Sequence, residues 1–165
     1  MATDARAKRH YEDVVVGKPY EYGAYSVTKD EIFAFAHAYD PQPHHIDEEA
    51  AKLSLVQGLC ASGWHSCAMF MRMFYDGLLA DSASMGGPAI DEVRWKKPVR
   101  PGNVLKARST CVEKRVMRSR PGVGICKMQH EVFNQDDELV MTMENSFFIA
   151  VREPEVAPAH AGDPS

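Results

Sequence analysis

The chain has 165 residues, 45% of them hydrophobic and 25% charged, with a formal net charge of -4 at pH 7. That is the size of one ordinary domain, too apolar and too weakly charged for a disordered chain. No run approaches the roughly 20 apolar residues a bilayer span requires, and a pI near 6.0 lacks the basic excess of a nucleic-acid binder.

The opening MATDARAKRHYEDV carries charges without an apolar segment, so no secretory signal is read and a cytoplasmic location is expected. Residues 1–12 are expected to fray, with one domain over 13–152. Cys60, Cys67, Cys111 and Cys126 show no C-x-x-C spacing and read as reduced thiols filling apolar space. Residues 20–27 (YEYGAYSV) alternate aromatic and small side chains and predict a strand. Thr28 and Glu31 then form a capping-box pattern, followed by Ile32, Phe33, Phe35, Ala36 and Tyr39 at helical spacing. Asp40-Pro41-Gln42-Pro43 must end that helix, because proline has no amide donor and biases its predecessor away from helix. Residues 47–51 read as a short helix with an acidic head. Ser62-Gly63 opens the strongest helix, with Trp64, Cys67, Ala68, Met71, Phe74, Tyr75 and Leu78 at three- and four-residue steps. Met69, Phe70, Met73 and Leu79 fill its other sides, which predicts a helix buried nearly all round, closed by Gly77 and residues 81–88.

The second half is strand-rich, with runs at 90–97, 104–116, 124–134 and 139–151, and turns at 98–103, 119–122 and 135–137. Strands following one central helix predict an α+β fold, an antiparallel β-sheet wrapped around a central buried α-helix, rather than a βαβ cofactor fold. Residues 153–165 are rich in Pro, Ala and Gly and are expected to be a disordered tail.

Chemistry concentrates in residues 38–47. Prolines on both sides of Gln42 stiffen the turn that separates Asp40 from His45, so a carboxylate and an imidazole can converge on one water. Such a pair suits general acid–base work near neutral pH, although an Asp-Pro step is also what an ordinary helix-ending turn uses. No metal is expected: His44 and His45 diverge as backbone neighbours, and Asp40 and Asp47 do not complete a dispersed ligand set. Ser62 reads as a helix cap rather than a nucleophile, since no Gly-x-Ser-x-Gly elbow surrounds it. Arg94, Lys96, Lys97 and Arg100 either solvate a sheet edge or bind phosphates.

The stretch Asp40-Pro41-Gln42-Pro43-His44-His45-Ile46-Asp47, with Ala50 and Ala51 after it, resembles the hydratase signature of the MaoC-like family, the (R)-specific enoyl-CoA hydratases and dehydratases of the hotdog fold. Gly58-Leu59-Cys60-Ala61-Ser62-Gly63-Trp64-His65 is similar to that family's entry into its central helix. Residues 93–103 (VRWKKPVRPGN) match its basic strand running into a proline-rich turn. The chain departs from the pattern at Gln42, where asparagine is usual, at His44, where an aliphatic residue is usual, and at Asn103, where aspartate is usual.

The resemblance implies a single hotdog fold and a lyase that adds water to, or removes it from, a trans-2-enoyl thioester, giving an (R)-3-hydroxyacyl thioester. It implies Asp40 and His45 as the catalytic pair and Gly63 as the amide facing the thioester oxygen. Gln42, Ser62, Trp64 and His65 are the expected substrate-binding residues. No cofactor is implied, coenzyme A entering only as part of an acyl-CoA substrate, with an acyl-carrier-protein thioester as the other carrier. One hotdog leaves an open sheet edge and half a groove, so a homodimer or dimer-based oligomer is expected, with no nucleic-acid or membrane partner. Two rival readings remain at this level. One is a hotdog acyl-CoA thioesterase, which calls for a carboxylate on the central helix, where Asp76 is the only acid. The other is a non-catalytic acyl-thioester binding protein.

Overall fold

The computed structural model describes residues 8–152. Five strands, β1 (Pro19–Ser26), β2 (Ala89–Trp95), β3 (Val104–Met117), β4 (Arg120–Phe133) and β5 (Leu139–Ala150), form one antiparallel sheet in the order β1-β3-β4-β5-β2. Alternation of side chains sets its two faces. Leu105, Ala107, Ser109 and Cys111 of β3 point to the core, while Lys106 and Arg108 between them reach solvent. The concave face wraps helix α4 (Gly63–Phe74), which continues through a π-type turn at Tyr75–Leu79. Met69, Phe70, Met73 and Phe74 of α4 are each buried against that sheet. The hotdog architecture is therefore the expected one.

Three helices precede α4. Helix α1 (Lys29–Tyr39) begins with the full capping box, Thr28 accepting from the Glu31 amide and Glu31 reaching back to the Thr28 amide. Helix α3 (Glu48–Lys52) is capped by Asp47, whose side chain accepts from the Glu49 and Ala50 amides at 2.8 and 3.0 Å. Between them Pro43–Ile46 forms a single turn, α2, with proline in its first position, where the missing amide costs nothing. The sequence reading anticipates a rigid loop here; the chain makes a helical turn instead.

Four other expectations are corrected. The β3–β4 turn is the two-residue Arg118-Ser119, not 119–122: Pro121 and Gly122 belong to β4, and a register shift at Val116/Met117 absorbs the irregularity. Helix α4 is not buried all round, since Trp64, Met71 and Tyr75 are 62%, 47% and 51% exposed along one stripe. That helix also runs through Gly77 rather than stopping there. Finally, residues 8–12, the described part of the segment expected to fray, make fixed contacts with the rest of the domain. Arg9 donates its amide to the Asp81 carbonyl at 2.7 Å and bridges Ser82. Tyr11 lies so close over Gly124 that a methyl there would come within 2.2 Å of its ring. Lys114 Nζ donates to the carbonyls of Tyr11 and Val14 at 3.0 and 2.6 Å. The expected disordered tail at 153–165 and residues 1–7 lie outside the described residues. Among those described, no helix is long and apolar enough to cross a membrane.

A row of polar side chains crosses four strands under α4. Burial pushes the His130 imidazole down to about 4, so the ring is neutral at pH 7. Its Nε2–H donates to Asn145 Oδ1 at 3.0 Å, and its Nδ1 accepts from the Ser109 hydroxyl at 2.6 Å. Ser109 Oγ in turn accepts from the Tyr22 hydroxyl.

Candidate active site

Asp40 caps the C-terminus of α1, its amide donating to the Ala36 carbonyl at 2.9 Å, and Pro41 carries the chain out of the helix. The turn closes through two backbone bonds, Gln42 N–H to Asp40 O and His45 N–H to Gln42 O, both 2.8 Å. Those bonds bring the His45 ring back toward the Asp40 carboxylate. His45 is buried, at 6% exposure, and its Nδ1 lies 2.8 Å from the Cys60 carbonyl. A carbonyl only accepts, so Nδ1 carries a hydrogen, and the tautomer this selects has its lone pair at Nε2. Nε2 stands 3.6 Å from Asp40 Oδ2.

The carboxylate is braced at both oxygens. Ser62 Oγ–H donates to Oδ2 at 2.6 Å, and Gln42 Nε2–H donates to Oδ1 at 2.8 Å. These two bonds, to Ser62 first, hold the Asp40 carboxyl below the usual carboxylate range against the opposing effect of burial. The group is therefore ionised at neutral pH. In that tautomer the carboxylate oxygen and Nε2 are both acceptors and cannot hydrogen-bond to each other; the 3.6 Å gap suits a donor placed between them.

Ser62 also starts α4. Its Oγ accepts from the Trp64 amide at 3.2 Å while donating to Asp40. Gly63, in the first position of the helix, has no carbonyl in its own helix to donate to, so its N–H stands at the positive end of the macrodipole.

A cavity of about 390 Å³ gathers these groups, with Asp40, Gln42, His45, Gly63, Trp64 and Trp95 on its walls. Lys96 and Lys97 lie on the same cavity, Lys97 in an ion pair with Glu138. A larger cavity of about 790 Å³ sits at the β1–β3 edge around Tyr22, Gly23 and Phe133, and none of the expected site residues lines it.

Of the site residues read from sequence, Asp40, Gln42, His45, Gly63 and Trp64 line one cavity, and Ser62 sits buried behind them as the link between Asp40 and α4. His65 is the exception. Its ring stacks on Phe35 of α1, centroids 4.7 Å apart, and burial pushes the imidazole below its ordinary value. Its place one step further round the helix turns it away from the cavity and into the α1–α4 contact. His44 packs its ring on His45 at 4.1 Å. Two contributors escaped the sequence reading. The Cys60 carbonyl fixes the His45 tautomer, and no residue type signals a main-chain acceptor. Trp95 stands on the cavity wall at the end of the basic strand, where only its aromatic character offered a hint. Asp76 pairs with Arg72 at 2.7 Å near the far end of α4 and lines no part of the cavity. Among the described residues, no group of three or more His, Cys, Asp or Glu side chains is placed to hold a metal ion.

Residues 13–132 match the MaoC-like domain family. Among solved structures, the chain is 35% identical to a MaoC-like dehydratase from Rhodospirillum rubrum, with 88% of this chain and 99% of that one covered and a TM-score of 0.82. It is 28% identical to an Archaeoglobus protein named as a monoamine oxidase regulatory protein, with 90% and 99% covered and a TM-score of 0.81. It shares its fold, at 23% identity, with the R-hydratase PhaJ1 from Pseudomonas aeruginosa, with 93% and 96% covered and a TM-score of 0.67.

Proposed function

The chain belongs to the MaoC-like family, and on that premise we propose that it is a hydro-lyase interconverting a trans-2-enoyl thioester and an (R)-3-hydroxyacyl thioester. The observation that carries this reading is the Asp40 carboxylate and His45 Nε2 facing each other at 3.6 Å on the cavity that Gly63 also lines.

The chemistry follows from that geometry. A water held between the two acceptors has its oxygen directed outward, toward a substrate carbon. As its oxygen bonds to C3, one proton passes to the Asp40/His45 pair, and the C2=C3 electrons move onto the thioester oxygen. The Gly63 amide, at the amino end of α4, stabilises that enolate; one such donor is worth about 3–4 kcal/mol of barrier. Return of the electrons to C2 takes up a proton from the pair, so the elements of water are added and the pair ends as it began. The reverse sequence expels water. Lys96 supplies positive charge for the phosphate of a pantetheine arm, which coenzyme A and acyl carrier protein share, while Lys97 is held by Glu138.

A second copy of the chain completes the reading. Strand β2 is an edge strand with Ile90 and Trp95 half-exposed, and α4 turns Trp64, Met71 and Tyr75 outward; a homodimer joined here covers both.

Purified protein mixed with crotonyl-CoA, longer enoyl-CoA thioesters and the same acyl groups on carrier protein is expected to consume the enoyl absorbance and form the (R) product without thiol release. Asp40→Asn and His45→Gln each lose at least about 100-fold in kcat, the scale of a lost general acid–base partner. No turnover on any of these substrates, or full activity in Asp40→Asn, defeats the assignment.

A further inference from the structure

Trp95 is the last residue of β2, at a sheet edge, and half of its surface is open. Its indole is nevertheless fixed at two points, both on the first turn of α4. The Nε1–H donates to the Gly63 carbonyl at 3.0 Å. The Trp64 ring meets the indole edge-on, centroids 5.9 Å apart and planes at 75°. The ring also occupies the space a side chain at position 63 would need: a methyl built on Gly63 comes within 2.6 Å of the indole, and its three nearest neighbours are all Trp95 atoms. Gly63 is not among the glycines with positive φ, so its backbone suits any L-residue. What excludes a side chain at position 63 is the indole.

That contact bears on the site already described. A helix N-terminus is where a helix frays, and the cap bond from the Trp64 amide to Ser62 Oγ is long, at 3.2 Å. An oxyanion donor is effective only when held about 2.7–3.1 Å from where the charge develops, and a misplacement near 1 Å costs on the order of 100-fold. Ser62 fastens the turn to Asp40, and Trp95 fastens it to the end of β2. We infer that Trp95 is the positioning residue for the oxyanion donor, its indole locking the Gly63–Trp64 turn so that the Gly63 amide points at the thioester oxygen. The inference rests on the hydratase reading and adds to it the residue that sets the donor's aim.

The experiment is a mutant cycle of wild type, Trp95→Phe, Trp95→Ala, Gly63→Ala and the Gly63→Ala/Trp95→Ala double variant, read by kcat, KM, pH–rate profile and Tm. Trp95→Phe keeps a ring but loses the donor, and is expected to lower kcat about tenfold, the scale of one hydrogen bond, with KM changed less than about twofold and the pH profile unmoved. Trp95→Ala is expected to lose about 100-fold in kcat. Gly63→Ala is expected to lose more than that and to lower Tm, yet to add almost nothing to either measurement in the Trp95→Ala background. Unchanged kcat in Trp95→Phe, a loss confined to KM, or equal damage from Gly63→Ala with and without the indole would overturn the inference. If the wild type itself turns over no enoyl thioester, the hydratase reading fails by that control, while the Tm cycle still reports whether the indole is what excludes a side chain at position 63.

Discussion

Ser62 shows how much one hydroxyl can link. Its oxygen accepts from the Trp64 amide and its hydrogen goes to Asp40 Oδ2, so it serves the helix and the carboxylate together. Ser62→Ala removes both at once. The lost cap is expected to lower stability by about 1 kcal/mol, seen as a reduced midpoint in urea unfolding. The same variant lets the Asp40 carboxyl rise, since the Ser62 bond is the leading cause of its depression. Because the proposed reaction needs that group ionised, the acid limb of the pH–rate profile should move to higher pH. Gln42→Ala, which removes only the second brace, should move it the same way by less. An acid limb that stays in place in both variants would separate Asp40 from the rate-determining ionisation. The braces themselves were only partly legible in the sequence. The proline-stiffened turn marked Asp40 and His45, and the cap pattern marked Ser62. That one hydroxyl does both tasks depends on α1 and α4 meeting, which no local pattern encodes.

At the scale of elements, local signals were read well where they were strong. The Thr28–Glu31 box starts α1 as expected, and Ser62 starts α4. The single turn Pro43–Ile46 was missed because four residues are too few for periodicity, and the β3–β4 turn was misplaced because Pro121 and Gly122 look like turn residues and are strand residues. His130 carried no signal either, because alternation marks which residues face inward but not that one of them is an imidazole held by neighbours on adjacent strands. Its consequence is a pH dependence of folding. The unfolded imidazole titrates near about 6.5, whereas the folded one is pushed down to about 4. Below the higher value the unfolded chain binds a proton that the folded one refuses. Stability should therefore fall as pH drops from about 6.5 to about 4 and level off below that. At about 1.4 kcal/mol per pH unit the loss is at most about 3.5 kcal/mol. Urea midpoints across that range should show the decline, and His130→Phe, less stable at neutral pH because it strands Ser109 and Asn145, should show a flatter profile. An equal slope in both proteins would remove His130 from the explanation.

For the whole molecule, the apolar surround of α4 in the sequence and the open stripe in the single chain are consistent if a second copy supplies the missing cover. Periodicity reports that a side chain is to be buried, not against which chain. Tyr75→Glu combined with Ile90→Lys places charge on both parts of that surface, and light scattering should show a shift from dimer toward monomer. A wild type that is already monomeric at micromolar concentration would refute the homodimer. The overall architecture was legible because a strand-rich half following one strongly apolar helix leaves few ways to bury both.

The amino-terminal strap has a bearing on the two ends of the sheet. Trp95, on the cavity wall, pairs with Met141 at one end of β5, whereas Gly124, beneath the Tyr11 ring, pairs with Ile149 at the other. Val14, Tyr11 and the Lys114 clamp thus cork the base of the barrel-like wrap. The two ends of the sheet are thus finished differently: among the described residues the amino-terminal segment covers one, and the cavity beside Asp40 lies toward the other.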